Sequence, residues 1–192
     1  MNIASAGLPT TSSNLFMGMT PEELMQSAET RTIHYGIHRS PFGLYLLGVT
    51  GQHRICILHF LDENGDISPA FQFPWNSTVR SHNPEFTGEI AEHLFIPGTR
   101  VNVPLLAAGS PFQLKVWEYL LSVPFGERVT YGQVAAAIGS PGASQAAGNA
   151  AGRNHIAYLI PCHRVVRKDG KTTRYRWGDR LKESMLRWES HP

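Results

Sequence analysis

From Thr32 the chain alternates: Ile33, Tyr35 and Ile37 are separated by His34, Gly36 and His38, the period of a strand with one buried face. Pro41-Phe42-Gly43 supplies turn chemistry, and the apolar runs Leu44 to Val49 and Arg54 to Phe60 predict two further strands, followed by a turn at Asn64-Gly65. Pro84 to Phe95 predicts a helix closed by Pro97-Gly98, and Arg100 to Ala108 a connector. Residues 1–29, rich in Ser, Thr, Gly and Met, predict a loose leader with one short helix near Pro21-Glu22-Glu23.

After residue 108 the period lengthens. Ser110-Pro111-Phe112-Gln113 has an N-cap serine, a proline at the first helical position and a glutamine three residues after the cap. The helix it opens carries Phe112, Val116 and Leu120 on one stripe and Leu114, Trp117 and Leu121 on another, so it should be largely buried. Val123-Pro124-Phe125-Gly126 stops it. Thr130-Tyr131-Gly132-Gln133 repeats the capping box and opens a helix through Ile138; Gly139-Ser140-Pro141-Gly142 is a turn. Ser144 to Arg153 is a third helix, built mostly of Ala and Gly. Two short helices about a Gly-containing turn make a helix-turn-helix outline. The small residues of the second suit either close approach to a nucleic-acid groove or tight packing on another helix. In the last helix, Asp179 to Ser190, Leu181, Met185 and Trp188 form a stripe with Glu189 at its edge.

The fold class is α+β. A small N-terminal α/β domain with an antiparallel sheet occupies residues 30–107. A mostly helical, winged-helix-like domain containing the helix-turn-helix occupies residues 108–192.

Charge divides the chain in the same way. Residues 1–107 hold five Lys+Arg against nine Asp+Glu, whereas residues 108–192 hold twelve against six, with all four lysines. A basic half fits a polyanion, most simply nucleic acid. With only Cys56 and Cys162 there is no disulfide framework to read. No apolar run approaches the roughly 20 residues that span a bilayer, so a cytoplasmic protein without a membrane partner is expected. His53, Cys56 and His59 have metal-like spacing, but strict strand alternation would turn Cys56 away from both histidines.

The reactive candidate is Pro161-Cys162-His163-Arg164, set between the apolar run Ile156 to Ile160 and Val165-Val166. Proline forces a turn at the end of the apolar run. Cysteine reacts as thiolate, and a neighbouring imidazole can take its proton. A small buried cysteine beside a histidine is the simpler alternative. Glu189, costly to bury alone, is a candidate partner for that histidine, or else a solvated C-terminal residue.

This motif, with Asn154 eight residues before Cys162 and Tyr131 opening the helix-turn-helix, resembles the O6-alkylguanine-DNA alkyltransferases. Tyr175-Arg176-Trp177-Gly178 is similar to the repair domain of bacterial Ada-type proteins. The likeness is specific over about residues 109–190 and architectural over 30–107. It implies irreversible transfer of an alkyl group from guanine O6 to Cys162, once per molecule, with no metal or organic cofactor. His163 would be the base acting through a water, Glu189 its orienter, and Asn154 the brace of the turn. Tyr131 would donate to the guanine ring, and backbone groups around Cys162, Val165 and Arg176 would read its edge. The partner would be double-stranded DNA containing O6-alkylguanine, entered through the minor groove by a monomer. Ser144, Gln145, Ala146, Gly148 and Arg153 would face that DNA, with Arg167, Lys168, Lys171 and Arg174 adding phosphate attraction. Two departures stand out. Gln145 occupies the place of the family's intercalating arginine, which should weaken base flipping. Thr173-Arg174 replaces a small turn that closes the alkyl pocket. Cys162 argues against a related class of lesion readers that lack it, but Gln145 keeps open a non-transferring or impaired alkylguanine-binding protein that recruits other repair factors; a Cys-His-Glu hydrolase lacks any recognisable oxyanion hole.

Overall fold

The computed structural model describes residues 15–96, 102–170 and 175–190. Its centre is a six-stranded sheet of order β1-β6-β4-β3-β2-β5. The expected antiparallel meander is its middle: β2 (Thr32–Ser40), β3 (Gly43–Thr50) and β4 (Ile55–Phe60). The outer strands pair parallel. β5 (Val79–His82) lies on β2, while β6 (Leu105–Ala108) lies between β4 and β1 (Phe16–Met19). The sheet is therefore mixed, not antiparallel.

Both parallel outliers on the β4 side fall where no strand was expected. Residues 1–14 of the anticipated loose leader lie outside the described residues; the rest carries β1 and α1 (Pro21–Gln26), whose Thr20 and Glu23 form a capping box. The anticipated connector contains β6, and the division at 107/108 falls inside that strand. All four residues of β6 are buried, so it reads as a bare apolar run without alternation. The Pro97-Gly98 stop lies outside the described residues. The helix before it, α2 (Pro84–Ala91), is shorter than expected and is capped by Asn83.

The second half follows its caps. α3 (Pro111–Ser122) and α4 (Tyr131–Ala137) start on reciprocal capping boxes, Ser110 with Gln113 and Thr130 with Gln133. Gly139 and Gly142 take positive φ in the turn to α5 (Ser144–Gly152). A two-stranded pairing of β7 (Val129–Thr130) with β8 (Val165–Val166) and α6 (Asp179–Glu189) complete it. Ala147, Ala150 and Ala151 of α5 are buried, and Trp117 of α3 donates its indole N–H to the Ala150 carbonyl at 2.9 Å. Tight packing thus claims one side of the small-residue helix and leaves the other open.

The halves share one core. A single apolar cluster runs from Tyr45, Leu58 and Phe60 through Trp117 and Leu120 to Ile160 and Met185. Backbone bonds reinforce it: Leu58 N–H donates to His155 O, and Ala157 N–H donates to Leu58 O, both at 2.9 Å. The segment leading to the Pro161-Cys162 turn thereby hangs on an edge of β4.

Alternation in β4 breaks at Cys56. The β3–β4 register shifts between Gly48 and Val49, which makes Cys56 the extra residue of a bulge. Cys56 joins Ile57 in a second cluster under the sheet, and His59, opposite Leu46 of that cluster, lies on the same face. Cys56 thus shares a face with His59, where strict alternation would have set them on opposite faces. His53 packs at a tilt against Phe86 and His59 edge-on against Trp177, and among the described residues no His, Cys, Asp and Glu group could hold a metal ion.

Candidate active site

Pro161 shapes the turn that presents Cys162. Its φ of −80° and ψ of 60° place it at the centre of an inverse γ-turn, with Cys162 N–H donating to Ile160 O at 2.7 Å. Tyr158 in the same segment takes φ of 64°, an uncommon conformation for a non-glycine residue. Asn154 holds this geometry. Its Oδ1 accepts from Ile156 N–H at 2.8 Å, and its Nδ2 donates to Ile156 O, Ile160 O and Cys162 Sγ at 3.1, 2.9 and 3.2 Å. One side chain therefore braces the turn and touches the thiol.

His163 is fully buried, with its ring parallel to that of Tyr158 at 5.9 Å. Its Nε2 lies 2.9 Å from Glu189 Oε1. Arg164 clamps the same carboxylate through Nε and Nη2 at 2.9 and 2.8 Å, and donates from Nη1 to Val123 O at 2.6 Å. Burial works to raise the Glu189 pKa, but the hydrogen bonds and charges of His163 and Arg164 outweigh it and hold it at about 2. Glu189 is thus a carboxylate, an acceptor only. His163 must donate from Nε2, which leaves Nδ1 as the basic nitrogen of a neutral imidazole; burial lowers the ring's pKa and favours that form. Nδ1 is buried and has no hydrogen-bond partner in the structure. Glu189 is therefore neither frayed nor solvated.

Burial likewise raises the Cys162 pKa, so the resting sulfur is a thiol; Asn154, Lys182 and Tyr175 pull in the opposite direction. Lys182 escaped the sequence reading. It is 1% exposed, and its Nζ donates to Val165 O at 2.6 Å. The buried face of α6 is Lys182, Met185, Leu186 and Glu189, offset from the expected Leu181-Met185-Trp188 stripe. A helical step back from Glu189 at seven-residue spacing would have found Lys182.

The remaining predicted residues separate into two groups. Val165 contributes its carbonyl to Lys182, and Arg176 bridges Asn154 O at 3.2 Å and Pro69 O at 3.5 Å through its side chain. Tyr131 begins α4 against Gly148, where a Cβ would come within 3.3 Å of the phenol ring. Gly148 thus serves close packing of α5 beneath Tyr131, and it is half-buried, as is Ser144. Gln145, Ala146, Asn149, Gly152 and Arg153 form the open face of α5. Arg167 and Lys168 are exposed; Lys171, Thr173 and Arg174 lie outside the described residues.

A family model described as "6-O-methylguanine DNA methyltransferase, DNA binding domain" matches residues 111–191. The Ada protein of Escherichia coli, named a bifunctional transcriptional activator and DNA repair enzyme, is 33% identical over 98% of this chain, and the chain spans only 56% of its length. A methylated-DNA–protein-cysteine methyltransferase of Mycobacterium tuberculosis is 36% identical over 82% of this chain and 92% of that protein. A crystal structure of Mycobacterium tuberculosis OGT in complex with DNA is similar with a TM-score of 0.67 at 32% identity, covering 82% of this chain and 92% of that one. Among the described residues no helix is long and apolar enough to cross a membrane. On 36% identity across 92% of the mycobacterial protein, the chain belongs to the methylated-DNA–protein-cysteine methyltransferase family.

Proposed function

We propose that this chain repairs DNA by moving the alkyl group of O6-alkylguanine irreversibly onto Cys162. The observation that carries the reading is the pairing of a buried thiol, touched by Asn154, with a neighbouring imidazole whose Nε2 is committed to Glu189 and whose Nδ1 is free. A proton leaves Cys162 Sγ through one water for His163 Nδ1, and the resulting imidazolium is stabilised by the Glu189 carboxylate. Sulfur attacks the alkyl carbon, the S–C bond forms and the C–O6 bond breaks. The electron pair departs with guanine, whose developing charge is met by the Tyr131 hydroxyl; the proton balance closes when guanine is protonated. The thioether does not turn over, so each molecule acts once.

The lesion reaches this buried site only if the base leaves the duplex, at a cost of a few kcal/mol. The open face of α5, with little bulk beyond Gln145 and Arg153, suits the minor groove, and backbone groups around Cys162, Val165 and Arg176 would read the guanine edge. Gln145 stands at the start of that face as the wedge, without the charge or flat stacking plane of an arginine. No metal or organic cofactor enters this chemistry. The protein acts as a monomer in the cytosol, where reducing conditions keep the thiol free.

The test is intact and peptide mass measurement after incubation with duplex DNA carrying O6-methylguanine. One methyl group on the Cys162 peptide is expected, and none in C162A. An unmodified protein that still binds the damaged duplex would replace transfer with lesion recognition alone.

A further inference from the structure

A groove of about 730 Å³ opens at the end of α5, its wall including Arg153 and His155 but not Cys162 or His163. Gly152 and Arg153, at the end of the open face of α5, form part of its wall, so groove and face are continuous. Arg176 and Arg153 bring two guanidinium groups to it, against the single carboxylate of Glu22. Arg176 is fixed in place by the carbonyl oxygens of Asn154 and Pro69. Phe73, 65% exposed, lines the same groove. Its neighbours Phe71 and Trp75 are buried at 2% and 0%, so the chain is pinned on both sides of an aromatic ring left in solvent.

An exposed ring sharing one groove with two arginines matches the two surfaces a single nucleic-acid strand offers, a base face and a phosphate. We propose that the groove holds an unpaired nucleotide of DNA adjoining the α5 contact. Its base stacks on Phe73 and its phosphate lies between Arg153 and Arg176. This rests on the DNA-repair reading above and extends it: the chain would grip single-stranded DNA next to the duplex it inspects. Charge complementarity and continuity with the α5 face favour DNA over a second copy of the chain.

The experiment compares the full chain with F73A and F73W by fluorescence anisotropy, on an undamaged labelled single strand and on a blunt duplex of equal length. Each probe is used at the length of one binding site and again at twice that length. F73A should weaken single-strand binding about 10-fold and duplex binding less than about 2-fold, and F73W should restore the single-strand affinity. Alkyl transfer from free O6-benzylguanine should be unchanged in F73A, which reports an intact fold and site. Unchanged single-strand affinity in F73A overturns the proposal, as does an equal loss on the duplex. A loss that appears only on strands long enough for two copies also overturns it and assigns the groove to a protein–protein contact. Binding to undamaged DNA needs no alkyl transfer, so failure here is distinguishable from failure of the repair reading.

Discussion

Cys56 and Cys162 are both buried, at 0% and 6% exposure, yet their surroundings have little in common. Cys56 is the extra residue of a strand bulge, set among Leu24, Ile57, Leu106 and Trp75. Its thiol donates to Gly48 O at 3.4 Å, and burial drives its pKa far above the usual thiol range. Cys162 faces the same desolvation, but Asn154 donates to its sulfur, Lys182 lends positive charge, and the adjacent His163 offers a free basic nitrogen. Burial alone makes a thiol inert. Reactivity comes from the donors that steady the charge as the proton leaves.

The sharpest way to break this contrast is to strip Cys162 of its principal donor. In N154A the thiolate loses the Nδ2 contact, and Ile156 N–H, Ile156 O and Ile160 O lose their partner. Removing a donor aimed at developing charge typically slows a reaction about 10²- to 10³-fold, and single-turnover methyl transfer from O6-methylguanine DNA should fall by that order. Stability should drop by roughly 1–3 kcal/mol in urea denaturation, because buried backbone groups are left unsatisfied. N154D keeps the acceptor for Ile156 N–H but sets a carboxylate against the sulfur. Transfer as slow in N154D as in N154A, with stability partly recovered, assigns the rate effect to the donor rather than to the turn. A near-normal rate in both variants would leave the Cys162 environment no different in kind from that of Cys56.

Lys182 tests the electrostatic part of the contrast at smaller amplitude. K182M retains an unbranched apolar side chain while removing the cation, so a thiolate at Cys162 becomes harder to form. Transfer should slow roughly 10-fold near neutral pH, the equivalent of about 1.4 kcal/mol. The deficit should narrow as pH rises, because the missing charge acts on sulfur deprotonation; single-turnover rates across a pH series check this. A deficit independent of pH would reduce Lys182 to an anchor for the Val165 carbonyl.

The same contrast explains which features were legible in the sequence. The capping boxes at Ser110 and Thr130 were readable because a cap is a local motif whose partner lies three residues away. Pro161-Cys162-His163-Arg164 and Glu189 were readable because their residue types are chemically conspicuous. β6 was not, because a strand buried on both faces has no polar period, and β1 exists only through its pairing with β6. The bulge at Cys56 was invisible for the same reason: a one-residue slip is set by cross-strand pairing between Gly48 and Val49, not by β4 itself. Lys182 was missed because a lysine reads as surface until Val165 and Glu189 fix which side of α6 is buried.

The smallest effect on transfer is expected where the contrast started, at Cys56. C56A removes a sulfur from a closed apolar cluster and opens a small void beside Ile57 and Trp75. The bulge geometry survives, since its irregular pairing is a backbone feature. Loss of the buried sulfur and its contacts should cost about 1–2 kcal/mol, which for a domain of this size lowers Tm by roughly 2–8 °C. The transfer rate from O6-methylguanine DNA should stay within about 2-fold of the parent, because nothing that touches Cys162, His163 or Glu189 is altered. Thermal denaturation and single-turnover transfer measured on one preparation separate the two quantities. A rate loss larger than the stability loss explains would mean that the sheet conveys strain from Cys56 through β4 and the Leu58 to His155 hydrogen bond into the active-site turn.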